Sequence, residues 1–475
     1  MDAISNNLIL NADSYKASHF LQYPPHTTRV SSYIESRGGK WDCAVFFGLQ
    51  MALIEYLCKP ITKQDIDEAG EFWKEHGLPF NRQGWEYILK KHDGFLPLKI
   101  EAVAEGSVVP NRNVLVQVVN TDPECFWLTS YVETILVRAA WYPTTVCTNS
   151  FMCKANILES LRRTSDNADA TAGFKLHDFG FRGVSSFESA ALGAAAHLVN
   201  FLGTDTVAGI LAARKYYGEK MAGYSIPAAE HSTITAWGEG NGEDAAYANM
   251  LDNFAKPGKT VAVVSDSYDI FNAVSKLWGG KLKQKILDSG ATVVIRTDSG
   301  EPSQVAPKVI ELLMEKFGYS VNLKGYKLLP SCIRVIQSEG LNVDTMKTIL
   351  DQLERRKLST ENINFGMGGG LLQTFDRDTL RFAMKCSAIE IDGKWKDVSK
   401  SPVTDRQKHS KKGRLALVKG KKGEYGTIRL EELKPGQENL LKTVFENGKV
   451  TKKYSFAEIR KNANQGLEEM LLGRK

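Results

Sequence analysis

Apolar and polar positions alternate in a regular way through the middle of the chain. Between residues 175 and 370, short apolar runs end repeatedly at small or acidic polar residues. Seven such ends follow one another, at His177-Asp178, Gly203-Thr204-Asp205, Glu230-His231, Ser265-Asp266, Asp298-Ser299, Ser338-Glu339 and Gly368-Gly369-Gly370. Neighbouring ends are about 26 to 41 residues apart, which is close to the length of a βα unit. Repeated strand–helix units predict a parallel sheet.

The apolar runs have the composition of buried strands, and helical spacing fills several of the gaps between them. The clearest strands are predicted at residues 260–265, 292–296 and 333–337, which are rich in Val and Ile. Apolar positions three and four residues apart predict helices at residues 303–317 and 344–356, and an Ala-rich stretch with a serine cap predicts another at residues 186–200. Seven units in succession favour a (β/α) barrel core over an open doubly wound sheet. In a barrel, the residues that follow each strand meet at one end, so the seven polar ends are predicted to share one pocket.

The two flanks of the chain have a different pattern. Residues 97–120 alternate between apolar and polar positions like a sheet, and residues 380–460 are again rich in strand-like segments. We therefore predict an α/β protein in which residues 151–380 form the barrel-like catalytic domain. Residues 1–150 and 381–475 are predicted to form a second, mixed α+β domain built from the N- and C-terminal segments.

Composition narrows the classes of function. The 475 residues are 43% hydrophobic and 24% charged, and the formal net charge is +6, a mild balance that does not indicate a nucleic-acid partner. No run of 18 apolar residues occurs, and the first residues lack the basic and apolar regions of a secretory signal. The seven cysteines form no CxxC pair. These features predict a cytoplasmic protein with reduced thiols and no membrane association.

A glycine-rich segment, Gly366-Met367-Gly368-Gly369-Gly370, is the first candidate for binding chemistry. Adjacent glycines allow backbone N–H groups to surround an anion, although the segment is neither a P-loop nor a GxGxxG motif. Basic residues that could pair with phosphate follow it, at Arg377, Lys385, Lys400 and Lys408. A phosphate site is therefore favoured over a glycine loop without function.

The basic stretch at residues 400–422 has two interpretations that the pattern leaves open. It contains nine Lys or Arg residues and one acidic residue, Asp405. Such a stretch is equally typical of a solvated loop and of a site for phosphorylated small molecules. Aromatic residues are absent from it until Tyr425, which argues against single-stranded nucleic acid.

Carboxylates and histidines at the strand ends are the second group of candidates. Asp266, Asp298 and Glu339 follow successive predicted strands, where carboxylates bind Mg²⁺ or ribose hydroxyls. Aspartates that cap helices have the same pattern, and for Asp266 alone the cap is favoured. His231, beside Glu230, is a nucleophile, a base or a buried imidazole, and without further context the buried imidazole is favoured. His177 can be interpreted in the same ways.

The order of these segments resembles the nicotinamide phosphoribosyltransferase family nearly from end to end. The matching segments before the glycine loop are Asp13-Ser14-Tyr15-Lys16, Tyr23-Pro24-Pro25, Asn120-Thr121-Asp122-Pro123-Glu124-Cys125, Lys175-Leu176-His177-Asp178-Phe179-Gly180-Phe181-Arg182-Gly183, Gly203-Thr204-Asp205-Thr206, Pro227-Ala228-Ala229-Glu230-His231-Ser232-Thr233 and Ser265-Asp266-Ser267-Tyr268-Asp269. After the loop the resemblance continues through Lys411-Lys412-Gly413-Arg414-Leu415 and Asn447-Gly448-Lys449-Val450.

The resemblance implies a homodimeric type II phosphoribosyltransferase, a pentosyltransferase with an irregular barrel and active sites at the dimer interface. Its substrates would be nicotinamide and 5-phosphoribosyl 1-pyrophosphate (PRPP), and its products nicotinamide mononucleotide and pyrophosphate. It also implies Mg²⁺ as cofactor, with ligands left unassigned. ATP would be a facilitating co-substrate, hydrolysed through a phosphohistidine at His231 that Glu230 and Asp266 orient.

The family also implies roles for individual binding residues. The nicotinamide ring would stack between Phe179 and Tyr15 of the second subunit, with Asp205 accepting from the carboxamide NH₂ and Arg296 beside its carbonyl. Asp298 and Glu339 would address ribose or Mg²⁺. The remaining residues would hold phosphate, ribose or pyrophosphate: Arg182, Gly368, Gly369, Arg377, Lys385 and Ser338 on the nucleotide, and Arg37, Lys400 and Lys408 on pyrophosphate.

Asp205 predicts which pyridine substrate is used. Nicotinate would bring a second carboxylate beside it, and two like charges about 4 Å apart cost roughly 4 kcal/mol at an effective dielectric constant near 20. That energy corresponds to about a thousandfold in affinity, so nicotinamide is expected to be strongly preferred. Two alternatives stay open: a nicotinate phosphoribosyltransferase, and a non-catalytic binding or signalling protein on the same fold.

Three positions depart from the pattern of the family. Ser338-Glu339 stands where relatives carry Gly-Asp, at the expected ribose contact, and the serine side chain is expected to crowd it. Ala383 replaces a serine expected near the phosphate, which removes one hydrogen bond. The segment at residues 38–45 is shorter than in vertebrate members. None of these changes removes an essential group.

Overall fold

The computed structural model describes residues 6–404, 409–421 and 423–473, which fall into two compact units. The first unit contains the described residues up to Thr148, together with Arg214–Glu219 and Phe375–Gly466. The second contains Asn149–Ala213, Lys220–Thr374 and the described residues from Leu467 onward. Residues from both ends of the chain therefore build the first unit.

A parallel sheet forms the centre of the second unit. Within the described residues it has six strands, and every neighbouring pair is parallel. Three of the strands, Thr260–Val264, Thr292–Thr297 and Ile333–Gln337, are rich in buried Val and Ile, as expected for strands covered on both faces. Across the sheet the order is Gly203–Thr204, Leu176–Asp178, Ile363–Met367, Ile333–Gln337, Thr292–Thr297 and Thr260–Val264.

A short irregular segment, residues 224–229, joins the two edges of this sheet. At one edge Tyr224 is bridged to Gly203, and at the other Ala228 is bridged to Ala262. Tyr224 N–H donates to the Leu202 carbonyl at 2.7 Å, and Ala229 N–H donates to the Ala262 carbonyl at 3.0 Å. We call residues 224–229 the closing segment, because it turns the open sheet into a barrel. The predicted irregular (β/α) barrel is thus confirmed.

The predicted strands and helices of the barrel are confirmed with small shifts at their ends. Each of the three predicted helices begins at a residue whose side chain accepts from a backbone N–H, which is the usual N-cap arrangement. These caps are Ser186, Glu301 and Asn342. The α-helices of this unit are Ala168–Thr171, Phe187–Leu198, Val207–Tyr217 (shared with the first unit), His231–Thr235, Asn241–Phe254, Ile270–Asn272, Lys283–Ser289, Pro302–Phe317, Val343–Arg355 and Gly369–Leu372.

An antiparallel sheet forms the centre of the first unit and interleaves strands from both ends of the chain. The part of the chain that is described contributes seven strands to it, in the order Lys394–Asp397, Phe382–Ile391, Thr27–Ser36, Val114–Asn120, Leu98–Ala102, Lys442–Glu446 and Lys449–Val450. Two smaller ladders pair Cys43–Val45 with Val108–Pro110 and Leu415–Lys419 with Tyr425–Arg429.

Helices complete the first unit, and two of them continue into the second. The longer α-helices are Lys63–Glu75, Arg82–Lys91, Glu133–Thr164 and Phe456–Gly473, of which the last two cross the unit boundaries. No helix in the described ranges is long and apolar enough to cross a membrane.

The basic stretch at residues 400–422 is not a single solvated loop in its described part. It contains the strand Leu415–Lys419. Lys411 forms an ion pair with Glu35, and the Arg414 guanidinium lies 5.2 Å from the centre of the Trp395 ring.

Candidate active site

The carboxyl ends of the parallel strands carry most of the predicted site residues, because consecutive strands point the same way. Each of these site residues lies within two positions of the last residue of its strand or of the closing segment. Contacts described below link the side chains of Phe179, Asp205, His231, Asp266, Arg296, Asp298 and Ser338.

An aromatic ring, Phe179, forms the apolar floor of this site. It is half-buried and packs against the buried side chains of Ala262, Val294 and Ile336. Gly366 leaves the space for it, since a Cβ atom at that position would come within 2.1 Å of the ring.

Two polar side chains border the Phe179 ring. The Arg296 guanidinium lies 5.5 Å from the ring centre, a cation–π distance. The centre of the His177 ring lies 4.9 Å from the centre of the Phe179 ring. A flat aromatic surface bordered by hydrogen-bonding groups suits a small heteroaromatic ligand.

A carboxylate, Asp205, is fixed close to this ring by two donors. His177 Nε2 lies 2.8 Å from Asp205 Oδ1, and the Ser225 hydroxyl donates to the same oxygen. Burial raises the pKa of Asp205, but the hydrogen bonds from His177 and Ser225 and the charge of Arg296 outweigh it and leave the pKa below its usual value. Asp205 is therefore an ionised acceptor at neutral pH.

A closed hydrogen-bonded ring joins Arg296, Asp298 and Ser338. Arg296 Nη2 donates to Asp298 Oδ2 at 2.7 Å, and Arg296 Nε donates to Ser338 Oγ at 3.0 Å. The Ser338 hydroxyl in turn donates to Asp298 Oδ1 at 2.7 Å. We call this arrangement the Arg–Ser–Asp ring.

His231 lies beside this ring at the end of the closing segment. Its Nε2 atom is 3.4 Å from Asp298 Oδ2 and 3.8 Å from Asp266 Oδ1. Its Nδ1 atom is 3.2 Å from Ser267 Oγ. The imidazole is about half exposed, with 45% of the side-chain surface accessible, so the interpretation as a buried histidine is wrong.

Two expectations about the acidic residues are also corrected. Asp266 is not a helix cap: its Oδ2 atom accepts from the Asp298 backbone N–H at 2.9 Å, and Asp269 caps the helix Ile270–Asn272 instead. Glu230 precedes the helix His231–Thr235 and accepts from the Ser232 hydroxyl. The described ring contacts of His231 are with Ser267, Asp266 and Asp298 rather than with Glu230.

The glycine loop lies next to the segment that carries Arg182. Phe179 N–H donates to the Met367 carbonyl at 3.0 Å, and a Cβ atom on Gly183 would lie 3.6 Å from the Gly369 nitrogen. A Cβ atom on Gly369 would meet no atom within 4 Å. The backbone of Gly369 is therefore open on one side, and the exposed Arg182 side chain follows in the neighbouring segment.

A basic cluster gathers four of the predicted phosphate and pyrophosphate residues in the first unit. Burial lowers the pKa of Lys385; the charge of Glu133 raises it, and the nearby charges of Arg37, Lys400 and Arg377 lower it further. Arg37 donates from Nε to Glu35 at 3.0 Å, and its buried Nη2 has no hydrogen-bond partner among the described residues. A buried guanidinium N–H without a partner is costly and suits an anion. Lys408 lies outside the described residues.

The last two predicted residues have exposed side chains. Tyr15 is 56% exposed in the first unit, with its ring 5.0 Å from that of His19. Glu339 is exposed after the strand Ile333–Gln337, and only its backbone carbonyl has a described partner, Gln337.

Sequence reasoning missed several residues that position the site. It left His177 unassigned and did not select Ser225 or Ser267, and it did not separate Gly366 from the rest of the glycine loop. For His177 and Ser267 a signal existed, because both lie in the strand-end segments. For Ser225 none existed, since the closing segment lacks the pattern of a strand.

Comparison with family models gives two matches. Residues 174–449 match the nicotinate phosphoribosyltransferase (NAPRTase) family, and residues 7–100 match the nicotinamide phosphoribosyltransferase N-terminal domain. Among curated proteins, the nicotinamide phosphoribosyltransferase of Xanthomonas campestris pv. campestris is 51% identical over 97% of this chain and 98% of its own. That of Acinetobacter baylyi is 33% identical over 97% of each chain.

Solved structures share the fold at low identity. Nicotinate-nucleotide pyrophosphorylase from Pyrococcus furiosus superposes with a TM-score of 0.65 at 16% identity, over 98% of this chain and 97% of the other. Human nicotinic acid phosphoribosyltransferase gives a TM-score of 0.56 at 17% identity, over 96% and 93%. At these identities the likeness concerns the fold alone.

Proposed function

This chain belongs to the nicotinamide phosphoribosyltransferase family, and from that membership we propose that it transfers the phosphoribosyl group of PRPP to nicotinamide. The products are nicotinamide mononucleotide and pyrophosphate. The observation that carries the proposal is the ionised carboxylate of Asp205, fixed by His177 and Ser225 beside the Phe179–Arg296 pair.

The pyridine ring of nicotinamide stacks on Phe179 in this proposal. Its carboxamide offers one donor, the NH₂ group, and one acceptor, the carbonyl. Asp205 accepts from the NH₂ group and Arg296 donates to the carbonyl, so both polar ends of the amide are satisfied. Nicotinate would place a second carboxylate near Asp205 and lose the donor.

The transfer itself needs positioning and charge rather than a general base. The bond between C1 of the ribose and a pyrophosphate oxygen breaks, and its electron pair leaves with pyrophosphate. The lone pair of the pyridine nitrogen forms the new bond to C1. That nitrogen carries no proton, so no side chain has to remove one. Stacking on Phe179 lowers the entropy cost of bringing the weak nucleophile to C1.

Backbone N–H groups and basic side chains bind the phosphates of PRPP, both the 5′-phosphate and the departing pyrophosphate. Gly368, Gly369 and Arg182 bind the 5′-phosphate through backbone N–H groups and a guanidinium. As the family resemblance implies, Arg377 and Lys385 are further ligands of that phosphate, and Arg37, Lys400 and Lys408 bind pyrophosphate. The buried, unpaired Arg37 Nη2 atom and the lowered pKa of Lys385, caused by burial and by three neighbouring cations, support an anion in the basic cluster.

Oxygen ligands suited to Mg²⁺ are present in the second unit. Mg²⁺ binds through one or two carboxylates together with substrate phosphates. In the described structure, Asp266 Oδ1 is buried without a hydrogen-bond partner, and Asp298 lies next to it through its backbone N–H. The free Asp266 oxygen fits the ion, which when bound would supply positive charge for the departing pyrophosphate.

ATP hydrolysis proceeds through His231 in the same proposal. Because Asp298 and Asp266 face Nε2, that nitrogen keeps its hydrogen, and Nδ1 has the lone pair that attacks the γ-phosphorus of ATP. The bond from phosphorus to the β–γ bridging oxygen breaks, and ADP leaves. Water later releases the phosphate from the imidazole.

The proposal includes a homodimer and a cytoplasmic location. The exposed Tyr15 ring of a second copy completes the ring site, as the family resemblance implies. Sedimentation at micromolar concentration tests the dimer, which a purely monomeric species would contradict. The seven cysteines are free thiols, which fits a reducing compartment.

Mononucleotide formation from PRPP and Mg²⁺ tests the function directly. Nicotinamide and nicotinate are compared in parallel, with and without ATP. We expect turnover with nicotinamide, and a lower KM when ATP is present. Turnover with nicotinate alone would identify the other pyridine as substrate, and no turnover with either would favour a binding protein.

The His231→Ala variant distinguishes phosphoribosyl transfer from ATP hydrolysis. We expect it to lose ATP hydrolysis and the effect of ATP on KM while retaining measurable mononucleotide formation. Undiminished ATP hydrolysis by this variant would contradict the role of His231. Exposed Ser331→Ala, at the opposite end of the neighbouring strand Ile333–Gln337, is the matched control.

A further inference from the structure

Ser338 occupies a position in the site that the family resemblance does not explain. The resemblance assigns residues 338 and 339 to ribose. In the structure, however, the Ser338 hydroxyl is already engaged within the protein, between the side chains of Arg296 and Asp298. It accepts from Arg296 and donates to Asp298 at 2.7 Å, while the Thr297 carbonyl lies farther away, at 3.3 Å.

The geometry of the Arg–Ser–Asp ring makes the hydroxyl its central link. Arg296 has a direct contact with Asp298 through Nη2, but this single contact leaves the guanidinium plane free to turn. The second contact, from Nε to Ser338 Oγ, fixes that plane. The hydroxyl hydrogen then fixes the second oxygen of the carboxylate.

Two functional orientations follow from this arrangement. Arg296 is held 5.5 Å from the centre of the Phe179 ring, where the carboxamide carbonyl of nicotinamide is proposed to bind. Asp298 is held with Oδ2 at 3.4 Å from His231 Nε2. The same hydroxyl therefore orients one group at the nicotinamide end of the site and one at the ATP-linked histidine.

We propose that Ser338 is a positioning residue that couples the nicotinamide-binding Arg296 to the His231–Asp298 pair. It acts through these two side chains and needs no contact with substrate. This inference rests on the proposed function, because it assigns the two ends of the ring to nicotinamide and to ATP. It changes the expectation for this position from a ribose contact to a link between two parts of the site.

Kinetics of Ser338→Ala and Ser338→Thr test the proposal. The alanine variant leaves Arg296 Nε and Asp298 Oδ1 without their partner, and loss of a charge-assisted hydrogen bond is expected to raise the KM for nicotinamide about tenfold. We expect kcat without ATP to change less than about threefold, and the reduction of KM by ATP to be lost. Ser338→Thr keeps the hydroxyl and is expected to restore both within about threefold.

Three results would overturn the proposal. The first is an unchanged KM for nicotinamide in Ser338→Ala. The second is a threonine variant as impaired as the alanine variant, which would assign the effect to shape. The third is a raised KM for PRPP alone, which would restore the role as a ribose contact. Ser331→Ala, exposed at the other end of the same strand, is the control and keeps the wild-type values.

A measurement without turnover separates this inference from the proposed function. Side-chain ¹⁵N NMR of the two variants reports the environment of the His231 ring directly. We expect the His231 signals to move in Ser338→Ala and to return in Ser338→Thr, whether or not the enzyme accepts nicotinamide. Unmoved signals in the alanine variant would contradict the link to Asp298, even if wild-type turnover confirms the proposed reaction.

Discussion

At the scale of single residues, Asp205 shows how neighbours decide what a carboxylate recognises. It lies at a strand end, and burial alone would raise its pKa and favour the neutral acid. His177 and Ser225 donate to it and Arg296 adds positive charge, so the net pKa is lowered. An ionised acceptor next to an aromatic surface distinguishes an amide from an acid.

The first prediction concerns the choice between nicotinamide and nicotinate. Wild-type protein is expected to prefer nicotinamide by about a thousandfold in kcat/KM, from the roughly 4 kcal/mol cost of two close carboxylates. Asp205→Asn is expected to lose most of that preference, because the charge is removed while the shape is kept. The ratio of kcat/KM values for the two substrates is the measurement.

Exposed Asp288→Asn on the helix Lys283–Ser289 is the matched control for this substitution. It is expected to keep the wild-type ratio. If the asparagine at position 205 left the ratio unchanged, the discrimination would have to come from another group.

The residues of the site were only partly predictable from sequence. Phe179, Asp205 and Arg296 could be named because the resemblance to a family supplied them. Ser225 could not, because its role depends on the path of an irregular segment between two sheet edges. The contacts of Ser338 could not be predicted either, since they require the side-chain orientations of Arg296 and Asp298.

At the scale of elements, the strands of the barrel were predictable and the closing segment was not. Buried parallel strands are marked by runs of Val and Ile, as at Thr292–Thr297, and this signal depends on composition alone. Residues 224–229 have one bridge to each neighbouring edge and contain Pro227, which cannot donate a hydrogen bond. Only the polar residues Glu230-His231, which follow this segment, indicated that a βα unit of the barrel lies there.

A glycine inside one of these strands provides the second prediction. The strand Ile363–Met367 contains Gly366, where any side chain would point at the Phe179 ring. In Gly366→Ala the new methyl group would lie within 2.1 Å of the ring, so the ring has to move. We expect the KM for nicotinamide to rise about tenfold, because the ring is proposed to stack on the substrate and stacking of aromatic groups contributes about 0.5–1.5 kcal/mol.

Binding of nicotinamide, followed by calorimetry, measures this effect without the transfer step. Gly280→Ala is the control, since a Cβ atom there would meet only the Ser275 carbonyl, at 3.8 Å. Equal affinities for wild type and Gly366→Ala would mean that Phe179 does not contact the ligand.

At the scale of the whole molecule, the two units differ in how closely the spatial order of their strands follows the order of the sequence. The barrel places neighbouring units of the chain beside one another, which is why its repeat could be recognised. The antiparallel sheet of the first unit interleaves strands from the two ends, such as Thr27–Ser36 and Phe382–Ile391. Such an order depends on long-range pairing, and the local pattern of apolar positions contains no information about it.

The far end of the barrel contains a buried cation that should make stability depend on pH. Lys175 donates from Nζ to the carbonyls of Thr360, Glu361 and Ile363 at 2.9 to 3.3 Å. Burial and the charge of Arg334 lower its pKa to about 7, with Glu361 acting in the opposite direction. These contacts tie the start of one strand to the start of its neighbour, at the end of the barrel opposite the site.

The third prediction follows from the direction of this shift. The unfolded chain holds the Lys175 proton up to about pH 10, whereas the folded protein releases it above about pH 7. The unfolded state therefore binds more protons between these values, so this lysine makes the free energy of unfolding rise with pH by up to about 1.4 kcal/mol per unit. Below pH 7 both states hold the proton and the contribution no longer changes.

Urea unfolding at pH 7.5 and 9.5 measures the effect as a difference between variants. Lys175→Met is expected to be less stable than wild type, and the deficit should grow with pH because the variant lacks this part of the slope. In the control variant Lys308→Met, which replaces an exposed lysine, the free energy of unfolding should change with pH as it does in wild type. A constant difference between wild type and Lys175→Met would show that the lysine keeps its charge in the folded protein.

The closed barrel also has a consequence for the order of folding. Around the ring every pair of neighbours is close in sequence except one, the pair Leu176–Asp178 and Ile363–Met367, whose partners are roughly 190 residues apart. Closing so long a loop carries the largest entropy cost and comes late in folding. Phe179, whose N–H donates to Met367, lies at this seam. A chain leaving the ribosome therefore cannot assemble the surface around Phe179 until its last barrel strand has been made.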